Sequence, residues 1–173
     1  MCLVRKEEVM RKEITCMFKK KKKEQLILER DEKHNISICL LNEQKEKKAI
    51  LYVRYYLRES LSIEEVRSFS VHLQTIWVHR KYRRRGIAAL MMSALIDVLL
   101  EIEQEEHCQF TLIRGEIGNA GEDNPRLSKP FYRAMDGMLY GAERKLVLKL
   151  EKNSTEDGLD EFWYYILPVE NYC

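Results

Sequence analysis

Five of the six residues from Arg80 to Arg85 are cations, and Gly86, Ile87 and Ala88 follow at once. An apolar segment ending in Ile76, Trp77 and Val78 runs into this turn, and a long apolar-striped segment runs out of it. Chemically this is a place for a multivalent anion. The first turn of a helix leaves several backbone N–H groups without partners, and the helix dipole is positive there. Gly86 and Ala88 keep bulk away from a ligand that must approach the backbone closely. Arg83, Arg84 and Arg85 add forked donors suited to phosphate. A solvated basic surface is the plainer reading. Cations gathered at the positive end of a helix cost stability, however, unless an anion is expected there.

The elements around the turn follow from periodicity. From Gly86 to about Glu103, Ala88, Leu90, Met91, Leu95, Val98, Leu99 and Ile102 recur at three- and four-residue spacings, which predicts a core-facing helix. Upstream, residues 25–30, 35–41, 49–57 and 70–78 read as four strands. The polar links at 31–34 and 42–48 are short enough for an antiparallel meander. In the fourth strand Val71, Leu73 and Thr75 alternate with His72, Gln74 and Ile76. Ser62, with Glu65 three residues on, reads as a helix start.

Downstream, residues 108–114 predict a fifth strand, 115–125 a loop and 127–135 a short helix. Residues 138–150 and 161–169 predict a closing pair of strands. Residues 1–13 read as a short helix or a frayed arm. The fold class is therefore α/β in the broad sense, more strictly α+β. It has a mixed, mostly antiparallel central sheet, a long helix after the fourth strand and a short helix after the fifth. Residues 1–23 form a charged N-terminal arm and 24–173 a single domain.

Composition limits the alternatives. A chain of 173 residues that is 45% hydrophobic and 34% charged suits one globular domain. The net charge of +2 means that anion binding must come from local clusters. No apolar run reaches the roughly 20 residues of a membrane-spanning helix, and the charged N-terminus does not look like a secretory signal. Cys2, Cys16, Cys39, Cys108 and Cys173 are odd in number and never spaced C-x-x-C. They suggest free thiols in the cytoplasm, or in a nucleus, and neither a disulfide framework nor a zinc site. The four histidines are dispersed, so no metal is expected. The lysine run at 19–23 reads first as a solvated stretch, with nuclear import or nucleic-acid contact as sharper readings.

At Arg83-Arg84-Arg85-Gly86-Ile87-Ala88 the sequence resembles the [Q/R]-x-x-G-x-[G/A] signature of the GCN5-related N-acetyltransferases, the GNAT superfamily. The resemblance extends over roughly residues 24–169, and it implies a GNAT-like sheet. It also implies that the turn's amides hold the pyrophosphate of acetyl-CoA as co-substrate. Backbone groups of Ile76, Trp77 and Val78 would then pair with the pantetheine arm where the fourth and fifth strands splay. Phe131-Tyr132-Arg133-Ala134-Met135-Asp136-Gly137-Met138 resembles the family's Phe-Tyr-x-x-x-Gly-Phe segment, with one extra residue before the glycine. That assigns Tyr132 the protonation of the departing thiolate. A half-buried core tyrosine is the bland alternative. Where the family often carries Asn and Ala upstream of this tyrosine, Pro125 and Ser128 stand here.

The implied reaction is acetyl transfer from acetyl-CoA to a primary amine by direct attack. A lysine-type amine is almost wholly protonated at pH 7, so a base must take its proton. Histone-acetylating members carry a glutamate about fourteen residues before the signature glycine; that position here is His72. Glu116 and Glu59 are fallback carboxylates. Many members place helices between their first two strands to roof the acceptor, whereas only residues 31–34 separate them here. An open acceptor face follows, suited to a protein lysine or N-terminus more than to a small amine. Two other functions compete: a nucleic-acid-binding module using the basic clusters, which the near-neutral charge disfavours, and a non-catalytic CoA-binding protein of the same fold.

Overall fold

The computed structural model describes residues 10–18, 22–58, 66–117, 125–152 and 161–166, with side chains defined over 24–58, 66–115 and 130–149. In chain order the elements are β1 (Met10–Phe18), β2 (Lys22–Arg30), β3 (Asn35–Leu41), β4 (Lys47–Arg58) and β5 (Arg67–Val78). A single 3-10 turn, Arg80–Tyr82, leads to α1 (Ile87–Glu106). Then come β6 (Cys108–Ile117), α2 (Pro125–Met135), β7 (Leu139–Tyr140), β8 (Arg144–Lys145), β9 (Val147–Lys152) and β10 (Glu161–Ile166). Eight strands make one sheet in the order β1-β2-β3-β4-β5-β6-β10-β9, and β7 and β8 pair separately. Every neighbour in the large sheet is antiparallel except β5 and β6.

Strand alternation decides which face is core. Ile36, Ile38 and Leu40 of β3, Leu51, Val53 and Tyr55 of β4, and Phe69, Val71 and Leu73 of β5 are all buried. They face the apolar stripe of α1, which contributes Met91, Met92, Leu95, Leu99 and Ile102. Each such side chain contributes about 1.5–3 kcal/mol on leaving water. The far end of α1 is fixed by Glu103, whose carboxylate accepts from Phe110 N at 2.7 Å and from the Tyr140 hydroxyl at 3.2 Å. Arg144 pairs with the same carboxylate.

Three differences from the expected elements have local causes. Met10–Phe18, within or next to the stretch read as helix or arm, is a strand paired with β2 over nine residues. The fourth expected strand is therefore β5 and the fifth is β6. In β5 the alternation fails after Leu73, because Tyr52 pairs with Thr75 while Val53 pairs with Leu73. Gln74 is thus a bulge. It reverses the phase, so that Ile76 and Val78 turn to the core and Thr75 is exposed. The expected strand at 138–150 is broken into three pieces by a turn at Gly141, where φ is 69°. The helix start at Ser62 lies outside the described residues.

Candidate active site

The parallel ladder between β5 and β6 stops at Leu73 opposite Gly115. Beyond it, Thr75, Ile76, Trp77 and Val78 pair with β4, while Glu116 and Ile117 pair with β10. The two strands therefore fork, and their facing backbone edges are left without ladder partners among the described residues. From Leu73 to Val78 the open edge runs roughly 17 Å at the usual strand rise. The fork opens towards the basic turn and closes at Leu73 and Gly115.

At the open end the helix N-terminus is bare. Gly86 is the N-cap, with φ at 76°, no side chain caps it, and no acid lies in the first turn. The first intrahelical bond is from Leu90 N to Gly86 O at 3.0 Å, so the preceding amides have no helical acceptor. A Cβ added at Gly86 would meet nothing within 4 Å, which leaves open space above the amides. Arg84 and Arg85 are exposed beside it, and Arg84 takes a left-handed φ of 59° that bends the chain into the turn. The Arg83 Nε donates to Val78 O at 2.9 Å, so this arginine also staples the turn to the strand end.

No sequence signal marked the rest of the support. Lys48, read as part of a polar link, is a bulge residue of β4 opposite the Leu40–Leu41 step of β3 and is buried. Its carbonyl accepts from His79 N at 2.8 Å. Its ammonium pairs with buried Glu24 and lies 4.5 Å from the centre of the Tyr82 ring. The His79 Nδ1 accepts from Lys81 N at 3.2 Å. The basic turn is thus seated on a buried ion pair from β2 and β4.

At the closed end Tyr132 of α2 is buried, with 4% of its surface exposed. A methyl group added at Gly115 would lie 3.1 Å from the Tyr132 hydroxyl oxygen. The glycine thus admits the phenol to the apex of the fork. His72 sits one residue before the apex, between Arg54 on β4 and Arg114 on β6. Its neighbours Val71 and Leu73 face α1, so His72 points to the opposite side of the sheet. Glu116 lies in β6 just past the apex, paired with Phe162; its side chain and all of Glu59 lie outside the described residues. No three His, Cys, Asp or Glu side chains among the described residues cluster as metal ligands would.

Residues 6–112 match the acetyltransferase (GNAT) family. The chain belongs to that family. Among solved structures, Arabidopsis thaliana NAA60 in complex with acetyl-CoA is similar over 77% of this chain and 76% of its own, at 14% identity and a TM-score of 0.51. A bacterial toxin is similar over 77% of this chain and 67% of its own, at 13% identity and a TM-score of 0.50. At such identities the likeness establishes the GNAT fold alone. No curated protein matches in sequence.

Proposed function

We propose that this GNAT-family chain transfers an acetyl group from acetyl-CoA to a primary amine of a polypeptide. The observation that carries the reading is the fork. Its mouth meets an uncapped, arginine-flanked helix N-terminus, and its apex meets the Tyr132 hydroxyl.

The pyrophosphate would lie on the amides that follow Gly86, with Arg84 and Arg85 beside it. The pantetheine arm would run along the open edge of Ile76, Trp77 and Val78, adding main-chain hydrogen bonds as a strand would. That brings the thioester to the apex. The amine nitrogen attacks the carbonyl carbon, and the oxygen takes the electron pair against a backbone N–H of β5. His72 accepts the amine proton, directly or through water. Collapse breaks the C–S bond, and the Tyr132 hydroxyl supplies a proton to the leaving sulfur.

A polypeptide acceptor is favoured because the link between β2 and β3 is a tight turn with no helix. There the Asp31 Oδ1 accepts from Lys33 N and Asn35 N, each at 2.9 Å. The free Cys39 and Cys108 support a reducing compartment, cytoplasmic or nuclear. A second reading, a coenzyme-binding protein without turnover, is favoured by the burial of Tyr132.

Calorimetric titration with acetyl-CoA, beside the Gly86→Trp variant, tests the proposal. Micromolar binding that the variant loses while keeping its melting temperature is expected. No binding by folded wild type would overturn it. Binding without acetylation of any amine in a peptide and polyamine panel would leave the second reading standing.

A further inference from the structure

Arg54, His72 and Arg114 are direct register partners on three neighbouring strands. Their chain neighbours Val53, Tyr55, Val71, Leu73 and Ile113 are buried against α1. Alternation therefore turns all three side chains to the other face of the sheet. Strands about 4.8 Å apart place the Arg54 and Arg114 backbones roughly 10 Å from each other, with His72 between them. The row crosses the sheet one residue short of the fork's apex, where the amine must arrive.

The surroundings suit an anion. Tyr52 and Tyr56, 43% and 44% exposed, flank Arg54 on the same face of β4. The Arg54 guanidinium lies 5.3 Å from the centre of the Tyr56 ring. Stacking of that kind engages the flat face of the guanidinium and leaves its edge donors available to a carboxylate. Ile50, Tyr52, Arg54 and Tyr56 alternate along β4 as an open strip of roughly 20 Å. A strip of that length fits an extended chain, whereas a small amine is held in a closed pocket.

We infer that the acceptor is a polypeptide with an acidic side chain next to its reactive amine, and that Arg54 and Arg114 grip that carboxylate. The inference rests on the acetyl-transfer reading for its chemistry, and on the Arg54–His72–Arg114 row for its charge.

The test uses matched peptides in which the accepting amine, a free N-terminus in one set and a lysine in another, is flanked by Asp, Asn or Lys. The ratio of kcat/KM for the Asp peptide over the Asn peptide is expected to be about tenfold in wild type. It is expected to fall towards one in Arg54→Gln and in Arg114→Gln, with acetyl-CoA affinity by calorimetry unchanged. Equal rates across the three peptides, or a preference for Lys, would overturn the proposal. So would turnover confined to free amino acids that carry a carboxylate. If no amine is acetylated, anisotropy of labelled peptides decides. Tighter Asp-peptide binding that Arg54→Gln abolishes would uphold the acidic docking surface and sink the transfer reading. Equal binding of all three peptides would sink the docking surface itself.

Discussion

His72 and Tyr132 stand on opposite faces of the sheet, one residue apart along the seam between β5 and β6. His72 pairs with Arg114, and the Tyr132 hydroxyl rests against the next residue, Gly115. A base on one face and an acid on the other can therefore serve the same reaction without competing for one proton.

That arrangement separates the two substitutions. Tyr132→Phe keeps the ring packed and is expected to lower kcat by about a hundredfold or more with acetyl-CoA affinity retained. His72→Gln is expected to lower kcat with acetyl-CoA affinity likewise retained. Steady-state kinetics, with calorimetry for the coenzyme, checks both. Equal kcat in Tyr132→Phe would leave Tyr132 as a core aromatic.

Gly115→Ala tests the apex directly. The added methyl would approach the Tyr132 hydroxyl oxygen to 3.1 Å and its ring to 3.2 Å, so the phenol must move. The shift is a few tenths of an ångström, and misplacing a catalytic group costs rate when geometry is its source. Activity is expected to fall at least tenfold, with a stability loss of about 1–3 kcal/mol from overpacking. Thermal melts and kinetics on the same preparation separate the two effects.

Lys48→Met would leave Glu24 buried without its cation, at a cost of about 3–5 kcal/mol. The double variant Glu24→Leu with Lys48→Met is expected to recover most of that stability. It would not restore the cation beneath Tyr82, so the basic turn loses a support and acetyl-CoA is expected to bind more weakly than to wild type. Melting temperature and coenzyme dissociation constant, measured for both variants, give the answer.

His34 gives the fold a pH dependence. Burial, then the Arg30 guanidinium, with Arg54 and Arg67 adding to it against Asp31, hold its imidazole below the usual value. The unfolded chain then takes up a proton at higher pH than the folded one. Stability from this group is complete above the unfolded value of about 6.5 and is lost as pH falls below it. His34→Asn tolerates the left-handed φ of 65° and is expected to flatten stability between about pH 5 and 7. Denaturant melts across that range check it.

Much of this was legible in the sequence because the signals were periodic. The stripe from Ala88 to Ile102 gave α1, and Gly86 after a basic run gave its start. Tyr132 and His72 were singled out by resemblance to GNAT segments, and no local pattern of their own marks either residue. What stayed hidden depends on register. Nothing local marks Gln74 as a bulge, since the reversal shows only when Tyr52 and Val53 skip a residue on β5. Lys48 read as loop because burial of a lysine is decided by Glu24, twenty-four residues away. The Arg54–His72–Arg114 row draws one residue from each of three strands, and no stretch of sequence holds two of them close together.

The seam between β5 and β6 is only seven residue pairs long, and β6 joins the strands on either side of it. The sheet is in effect two leaves sharing one spine, already parted along half its length. A ligand lying in the parted half bonds to both leaves and completes the spine. Coenzyme binding should therefore slow amide hydrogen exchange in β10 as well as in β5, although β10 lies beyond the ligand's reach.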